Sequence, residues 1–434
     1  MDMPTSQYNL AYESSDQDLT SSSIDTLTIQ QDLARAHGFD PSKTRILAFN
    51  AAPPTQERTA EDLKRLYNSA SKPAMQPLQR RRILTTPERV LDAPGLMDDY
   101  YLNLLDWSTD NQVAIGLGAG VYLWGADTGD VIPLCELPNA DQDYVSSVKF
   151  SQDAAFVAVG TCDGNIHVYD IEARQKIRTM KHSPGIRVSS LAWNEHILAS
   201  GAKDGSIWLH DVRVAEHKIA ELVNHTAEIC GLAWRSDGKQ LASGGNDNVV
   251  NIWEPADRTG KITPLFQQTR HTAAVKALAW CPWQLNLLAT GGGTQDKHIH
   301  FWNTGTGALL HSIDAQSQVT ALIWSPMHHR ELLSAHGFPG YQLTLWSYPG
   351  LQRIIEIPAH ETRVLHACVC PIDNEIVATA ASDENLKFWK IWEPKRQDKK
   401  EKIPTQPTMT TGSKAKPMIS SRTTTTSRPR SLIR

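Results

Sequence analysis

The sequence contains no apolar stretch of the roughly 20 residues that cross a bilayer as a helix, and its N-terminus carries neither the basic nor the apolar region of a secretory signal. Both absences point to a soluble protein of the nucleus and cytoplasm with no membrane partner. Cysteine is scarce, with six in 434 residues, and only Cys368 and Cys370 are close neighbours. Two residues apart, they face one side of a strand, and no second pair completes a tetrahedral set. No metal or other cofactor is therefore expected, and the thiols read as reduced. Charge of one sign is missing as well: a net charge of -4 supplies no global field for nucleic acid.

What the sequence has instead is a repeat. An apolar, strand-like run ends at Trp124, Tyr169, His210, Trp253, Trp302, Trp346 and Trp389, at intervals of 45, 41, 43, 49, 44 and 43 residues. Intervals of about 40 to 45 residues are those of WD repeats, small sheets that bury their faces only against one another. Seven units predict an all-β fold, a seven-bladed WD-repeat β-propeller over residues 83–392, in which the repeats proper begin near residue 100.

An earlier strand opens each unit, as in Leu105-Asp106-Trp107, Leu191-Ala192-Trp193, Leu232-Ala233-Trp234, Leu278-Ala279-Trp280 and Leu322-Ile323-Trp324. The next run, such as Leu241 to Gly245 or Leu288 to Gly292, is expected to pack toward the central channel, its small residues admitting the neighbouring blade. Asp163, Asp204, Asp247, Asp296 and Asp383 each stand six residues before the terminal position. With His182, His225, His271 and His360 ahead of the first strand, they offer the His-Asp-Ser/Thr set of a hydrolytic triad. A nucleophile site, however, is a single departure from a repeat, and these residues keep its register. They are expected to form buried hydrogen-bond networks such as His225, Ser243, Asp247 and Trp253, and the protein is not expected to be an enzyme.

The flanks differ from the repeats. Residues 1–34 hold six acids and no Lys or Arg, so the arm over 1–82 is expected to be mostly disordered, with a short helix from about Thr26 to Ala36 and a basic cluster at Arg80-Arg81-Arg82. Residues 403–434 hold six basic residues and no acid, which predicts a disordered basic tail over 393–434 ending in Ile433-Arg434.

Several longer phrases go beyond the repeat: Val90-Leu91-Asp92-Ala93-Pro94, Asp99-Tyr100-Tyr101-Leu102-Asn103-Leu104-Leu105-Asp106-Trp107 and Asp211-Val212-Arg213-Val214-Ala215-Glu216-His217. So do Ser243-Gly244-Gly245-Asn246-Asp247-Asn248, Ala279-Trp280-Cys281-Pro282-Trp283-Gln284, Ala289-Thr290-Gly291-Gly292-Gly293-Thr294 and Ser334-Ala335-His336-Gly337-Phe338. Together they closely resemble the Fizzy, or cell division cycle protein twenty, family of coactivators of the anaphase-promoting complex, a ubiquitin ligase. Asp211 to His217 is similar to the Fizzy branch and not to the Fizzy-related branch.

The resemblance implies a non-catalytic receptor for degrons, with ligase subunits, substrates such as cyclins and securin, and spindle-checkpoint proteins as partners. It implies a destruction-box (Arg-x-x-Leu) groove between the first and last blades, where Asp92 and Glu384 flank the degron arginine and Leu91 helps take the leucine. From the residues alone, Asp92 reads as a turn residue before Pro94. For the KEN box it implies Asp99, Asn246, Asn248, Thr294, Gln318 and Arg363 around the top of the channel, with Arg363 on the motif's glutamate; as bare sequence, Asn246 and Asn248 read as turn residues. Ile433-Arg434 is similar to the family's ligase-docking tail, and Lys43-Thr44-Arg45-Ile46-Leu47 to its ligase-contacting segment, in which Lys43, Arg45, Ile46 and Leu47 are the contact candidates. Thr86, followed by Pro87, is a candidate proline-directed phosphorylation site.

One departure stands out. The family's C-box, of the form Asp-Arg-Tyr/Phe-Ile-Pro-x-Arg, does not occur, while Ser6 to Tyr12 resembles the stretch that follows it, and the checkpoint-binding segment upstream is missing too. The expectation is either a truncated or alternatively started product, or a paralogue that binds substrates without strongly activating the ligase. A WD-repeat scaffold with other clients is the alternative reading.

Overall fold

A computed structural model of the chain describes residues 83–138, 142–254 and 260–393, together with the isolated helical positions Asp32 and Ala36, which fall in the stretch expected to be helical. The strands arise from two kinds of sequence. Leu241–Gly245 and Leu287–Gly292 are buried at every residue, as befits a strand in the middle of a blade with another blade on either side. Gln175–Lys181 and Ala308–Asp314 are mostly exposed and lie on the outer rim, where one edge meets solvent.

Among the described residues there are seven sheets. In the second, Val145–Phe150, Phe156–Thr161, Asn165–Asp170 and Gln175–Lys181 pair antiparallel in chain order. The positions read from sequence as closing the blades thus end third strands, and an outer fourth strand follows. The third blade gains a fifth strand, Gly260–Ile262, which pairs in parallel with Lys218–Leu222 and ties the fourth blade to its neighbour.

The ring closes by borrowing. The outer strand of the seventh blade is Arg89–Asp92, paired antiparallel with Asn385–Lys390 so that Leu91 faces Leu386 and Asp92 faces Asn385. The joint with the first blade is apolar: Trp124 and Phe388 have ring centroids 4.7 Å apart, in a cluster that includes Leu123 and Leu386, with Leu91 packed against it.

One expectation is corrected. The channel, a cavity of 420 Å³, is lined by first strands and the residue leading into them (Asn103, Val148, Ser190, Gly231, Lys276, Thr320 and His366), not by the second runs. The second strands lie one layer out, where their small residues do admit the neighbouring blade: a Cβ on Gly244 would stand 2.4 Å from the Val275 carbonyl, and one on Gly291 2.3 Å from a Val319 methyl. The first-strand tryptophans stitch blades together. Trp193, Trp234, Trp280 and Trp324 donate their indole N–H to the carbonyls of Lys149, Ala192, Ala233 and Ala279 in the preceding blade, at 3.1, 3.2, 2.9 and 3.0 Å.

Candidate peptide-binding surfaces

The repeat's histidines and aspartates are consumed inside the blades. His225 Nδ1 lies 2.9 Å from Asp247, its Nε2 2.7 Å from Ser243 Oγ, and Trp253 donates to the same Oγ at 2.7 Å. His271, Asp296, Thr290 and Trp302 repeat the pattern in the fifth blade, and His360, Asp383, Thr379 and Trp389 in the seventh. Burial would raise the Asp296 carboxyl, but His271 and Thr272 outweigh it and hold it at about 2. Each hydroxyl sits between two buried nitrogens, which makes it a structural keystone.

The mouth of the channel is crossed by the segment Leu96 to Asn103, whose polar groups reach five blades. Arg363 Nε donates to Asp98 at 2.5 Å, and Arg187 Nη1 to Asp99 at 2.7 Å. Tyr100 O–H points at the Ala274 and Val319 carbonyls, each at 3.4 Å, and Tyr101 O–H donates to Asn246 Oδ1 at 3.1 Å. Below them, Asn103 Nδ2 donates to the carbonyls of Ser189 and Cys230 at 2.7 and 3.0 Å, and Lys276 Nζ to those of Leu102 and Leu365, both at 2.8 Å. Burial pulls the Lys276 ammonium down to about 7. Burial also works against Arg187, yet Glu228, Tyr144 and Asp99 keep it firmly charged, Glu228 as a bidentate partner at 2.8 Å.

Of the six residues expected around the mouth, the structure joins Asp99 and Asn246 through Tyr101, whose backbone N–H bonds to Asp99 Oδ1 at 2.9 Å. Asn248 and the exposed Thr294 occupy matching turns of the fourth and fifth blades. Gln318 is buried, with its amide against Gly337, and Arg363 approaches the same glycine. Arg363 is half-exposed and already carries an internal carboxylate partner.

At the groove, Asp92 is exposed at the end of the outer strand Arg89–Asp92, Glu384 is exposed in the turn just before its partner strand Asn385–Lys390, and Leu91 is half-buried. Gly95 N–H donates to Glu384 Oε1 at 3.1 Å and Ala93 N–H to the Glu384 carbonyl at 2.7 Å, so the turn after Asp92 is fastened to Glu384. The residue after the repeat's aspartate is left-handed in five blades: Gly164, Gly205, Asn248, Lys297 and Glu384, with φ of 83, 87, 65, 57 and 58°. Glycine and asparagine take that conformation cheaply and glutamate does not. A glutamate there is held at a conformational cost, which favours a role for its charge.

The family model of the CDC20/Fizzy WD40 domain matches residues 91–389. The chain belongs to the CDC20/Fizzy family. WD repeat-containing protein slp1 of Schizosaccharomyces pombe is 54% identical over 365 residues, covering 84% of this chain and 72% of the relative. Anaphase-promoting complex subunit cdc20 of Dictyostelium discoideum is 44% identical, covering 84% and 72%, and APC/C activator protein CDC20 of Saccharomyces cerevisiae is 41% identical, covering 85% and 62%. A chain in a crystal structure of the mitotic checkpoint complex, 52% identical, superposes with a TM-score of 0.69 over 81% of this chain and 100% of its own.

For this CDC20/Fizzy chain, reading the sequence missed the partners of the expected residues: Asp98, Tyr101, Arg187 and Glu228. Only Tyr101 falls within the Asp99 to Trp107 phrase; Asp98 precedes it, and Arg187 and Glu228 come from other blades. Lys43, Arg45, Ile46, Leu47, Ile433, Arg434 and the Arg80 to Arg82 cluster lie outside the described residues; Thr86 is described and exposed.

Proposed function

We propose that this chain is a coactivator subunit of the anaphase-promoting complex that receives degrons on its propeller and presents the substrate to the ligase, acting by binding and not by chemistry of its own. The observation that carries the degron reading is a pair of exposed carboxylates at the blade closure, Asp92 and Glu384, where the turn after Asp92 is hydrogen-bonded to Glu384 and Glu384 holds a conformation that costs its side-chain type. Two carboxylates presented on one closure suit a guanidinium. The half-buried Leu91 beside the first blade's apolar cluster offers a seat for the leucine three residues on.

At the mouth, the Arg363–Asp98 pair supports a KEN-box reading: a peptide glutamate can exchange with Asp98 for the same guanidinium, while Asn246 and Thr294 stand exposed for its amides. Likeness to a chain of the mitotic checkpoint complex extends the proposed partners to checkpoint proteins, and Ile433-Arg434 is assigned to ligase docking. The test is a reconstituted reaction with purified ligase, ubiquitin-activating and conjugating enzymes and a securin fragment. Ubiquitylation should rise on adding the chain and fall back when the fragment's Arg-x-x-Leu becomes Ala-x-x-Ala. Removal of Ile433-Arg434 should weaken ligase binding and leave degron affinity alone. An intact ligase that gains nothing from the chain would contradict the proposal.

A further inference from the structure

One position of the repeat varies from blade to blade, and in the second blade it holds His167, whose Nδ1 lies 3.0 Å from Thr179 Oγ1. Two residues before the third-strand tryptophan, the fourth and seventh blades carry Asn251 and Lys387. Asn251 Oδ1 accepts from Asn224 at 3.0 Å, and Lys387 donates to the Ala359 carbonyl at 3.0 Å, 4.0 Å from Asp383. The fifth blade places His300 there. Its side chain is 5% exposed, its Nδ1 is buried without a hydrogen-bond partner, and its ring centroid lies 4.5 Å from that of His271. Asp296 is the third neighbour: one donor atom from each of His271, Asp296 and His300 falls within 4.8 Å of the other two.

We propose that His271, Asp296 and His300 form a binding site for a zinc ion, with water in the fourth position. Two imidazoles and a carboxylate are a borderline-soft set that suits zinc and not calcium or magnesium. The supports of such a site are present. His271 Nε2 is bonded to Thr290 Oγ1 at 2.7 Å, and Asp296 Oδ1 accepts from the Thr272 N–H and O–H, both at 3.1 Å, so two of the three donors are already oriented by their neighbours. On binding, the metal takes the lone pair of His271 Nδ1. The metal replaces the hydrogen between Nδ1 and Asp296, and the neutral ring takes the tautomer whose hydrogen is on Nε2, donated to Thr290 Oγ1. His298, with a side chain 41% exposed and Nδ1 4.0 Å from Asp296 Oδ1, marks the way in from the surface.

The cysteine count hid this site, because His271 and His300 lie 29 residues apart and meet only through the turn that carries Asp296. The test is zinc titration of the chelator-treated full chain by competition with a chromophoric chelator, alongside His300→Asn, which installs the residue type of the fourth blade and leaves His271, Asp296, Thr290 and Trp302 in place. The wild type should take up a single high-affinity equivalent, and His300→Asn should bind on the order of tenfold or more weakly. Cobalt as a probe should give the intense visible absorption of tetrahedral coordination in the wild type, a readout that stands whether or not the variant folds. Equal zinc affinity in the two proteins, no stoichiometric uptake, or only the weak octahedral spectrum of cobalt would overturn the proposal.

Discussion

Two polar networks in this propeller share aspartate and differ in their other members and in reach. Inside the fourth, fifth and seventh blades, His, Asp, Ser or Thr and Trp bond to one another within one blade and keep the repeat's register. At the channel mouth, Asp98, Asp99, Tyr101 and Asn103 come from one segment, bond to several blades and repeat nothing. The first kind is built around buried hydroxyls, so loss of one of these leaves a buried orphan. The second is partly open to solvent, so a ligand can exchange with an internal partner. In a repeat fold, polar groups in register serve the architecture, and those that break register are where recognition belongs.

The sharpest way to break that comparison is to remove a keystone. Thr290→Val strands His271 Nε2 and the Trp302 indole, and the loss of two buried partners should cost about 2–4 kcal/mol in urea unfolding. A cost below about 0.5 kcal/mol would place the blade networks among the dispensable. Arg363→Ala should instead leave stability nearly unchanged and weaken a KEN-box peptide about tenfold, or ~1.4 kcal/mol, without touching Arg-x-x-Leu binding. Equal loss for both peptides would merge the two surfaces into one.

Glu384→Gly relieves the left-handed backbone, so stability should hold or rise by up to about 1 kcal/mol while destruction-box affinity falls. A stability loss would mean that the glutamate is structural. The smallest effect is that of pH. Burial holds His182 at about 4, and His300 and His336 likewise, so the folded state keeps these imidazoles neutral where the unfolded chain takes protons. Their contribution is present above the ordinary histidine value and lost as pH falls toward 4. At pH 6 the loss should be under about 1 kcal/mol for each imidazole, seen as a falling thermal midpoint. A midpoint that rises on acidification would contradict buried neutral rings.

What the sequence revealed follows from burial. First strands carrying Trp193 or Trp280 and third strands carrying Trp253 or Trp302 near their ends are mostly or partly buried along their length, so each leaves an apolar run at the repeat interval. Outer strands such as Gln175–Lys181, and the closing strand Arg89–Asp92 above all, are mostly exposed and carry no such run. The in-register network around His225 was legible because the repeat itself spaces its members. The mouth was not: Arg187 and Asp99 lie 88 residues apart and meet only once the ring closes. Asp92 and Glu384 were reached through family resemblance; residue by residue, Asp92 looked like a turn before Pro94.

The most direct test of a degron receptor is the affinity of a fluorescent Arg-x-x-Leu peptide for the purified chain, measured beside Asp92→Arg and Glu384→Arg. Binding that either reversal weakens at least tenfold, with unfolding midpoints unchanged, is the predicted result. No binding, or binding indifferent to both reversals, would contradict it and return the chain to the role of a scaffold.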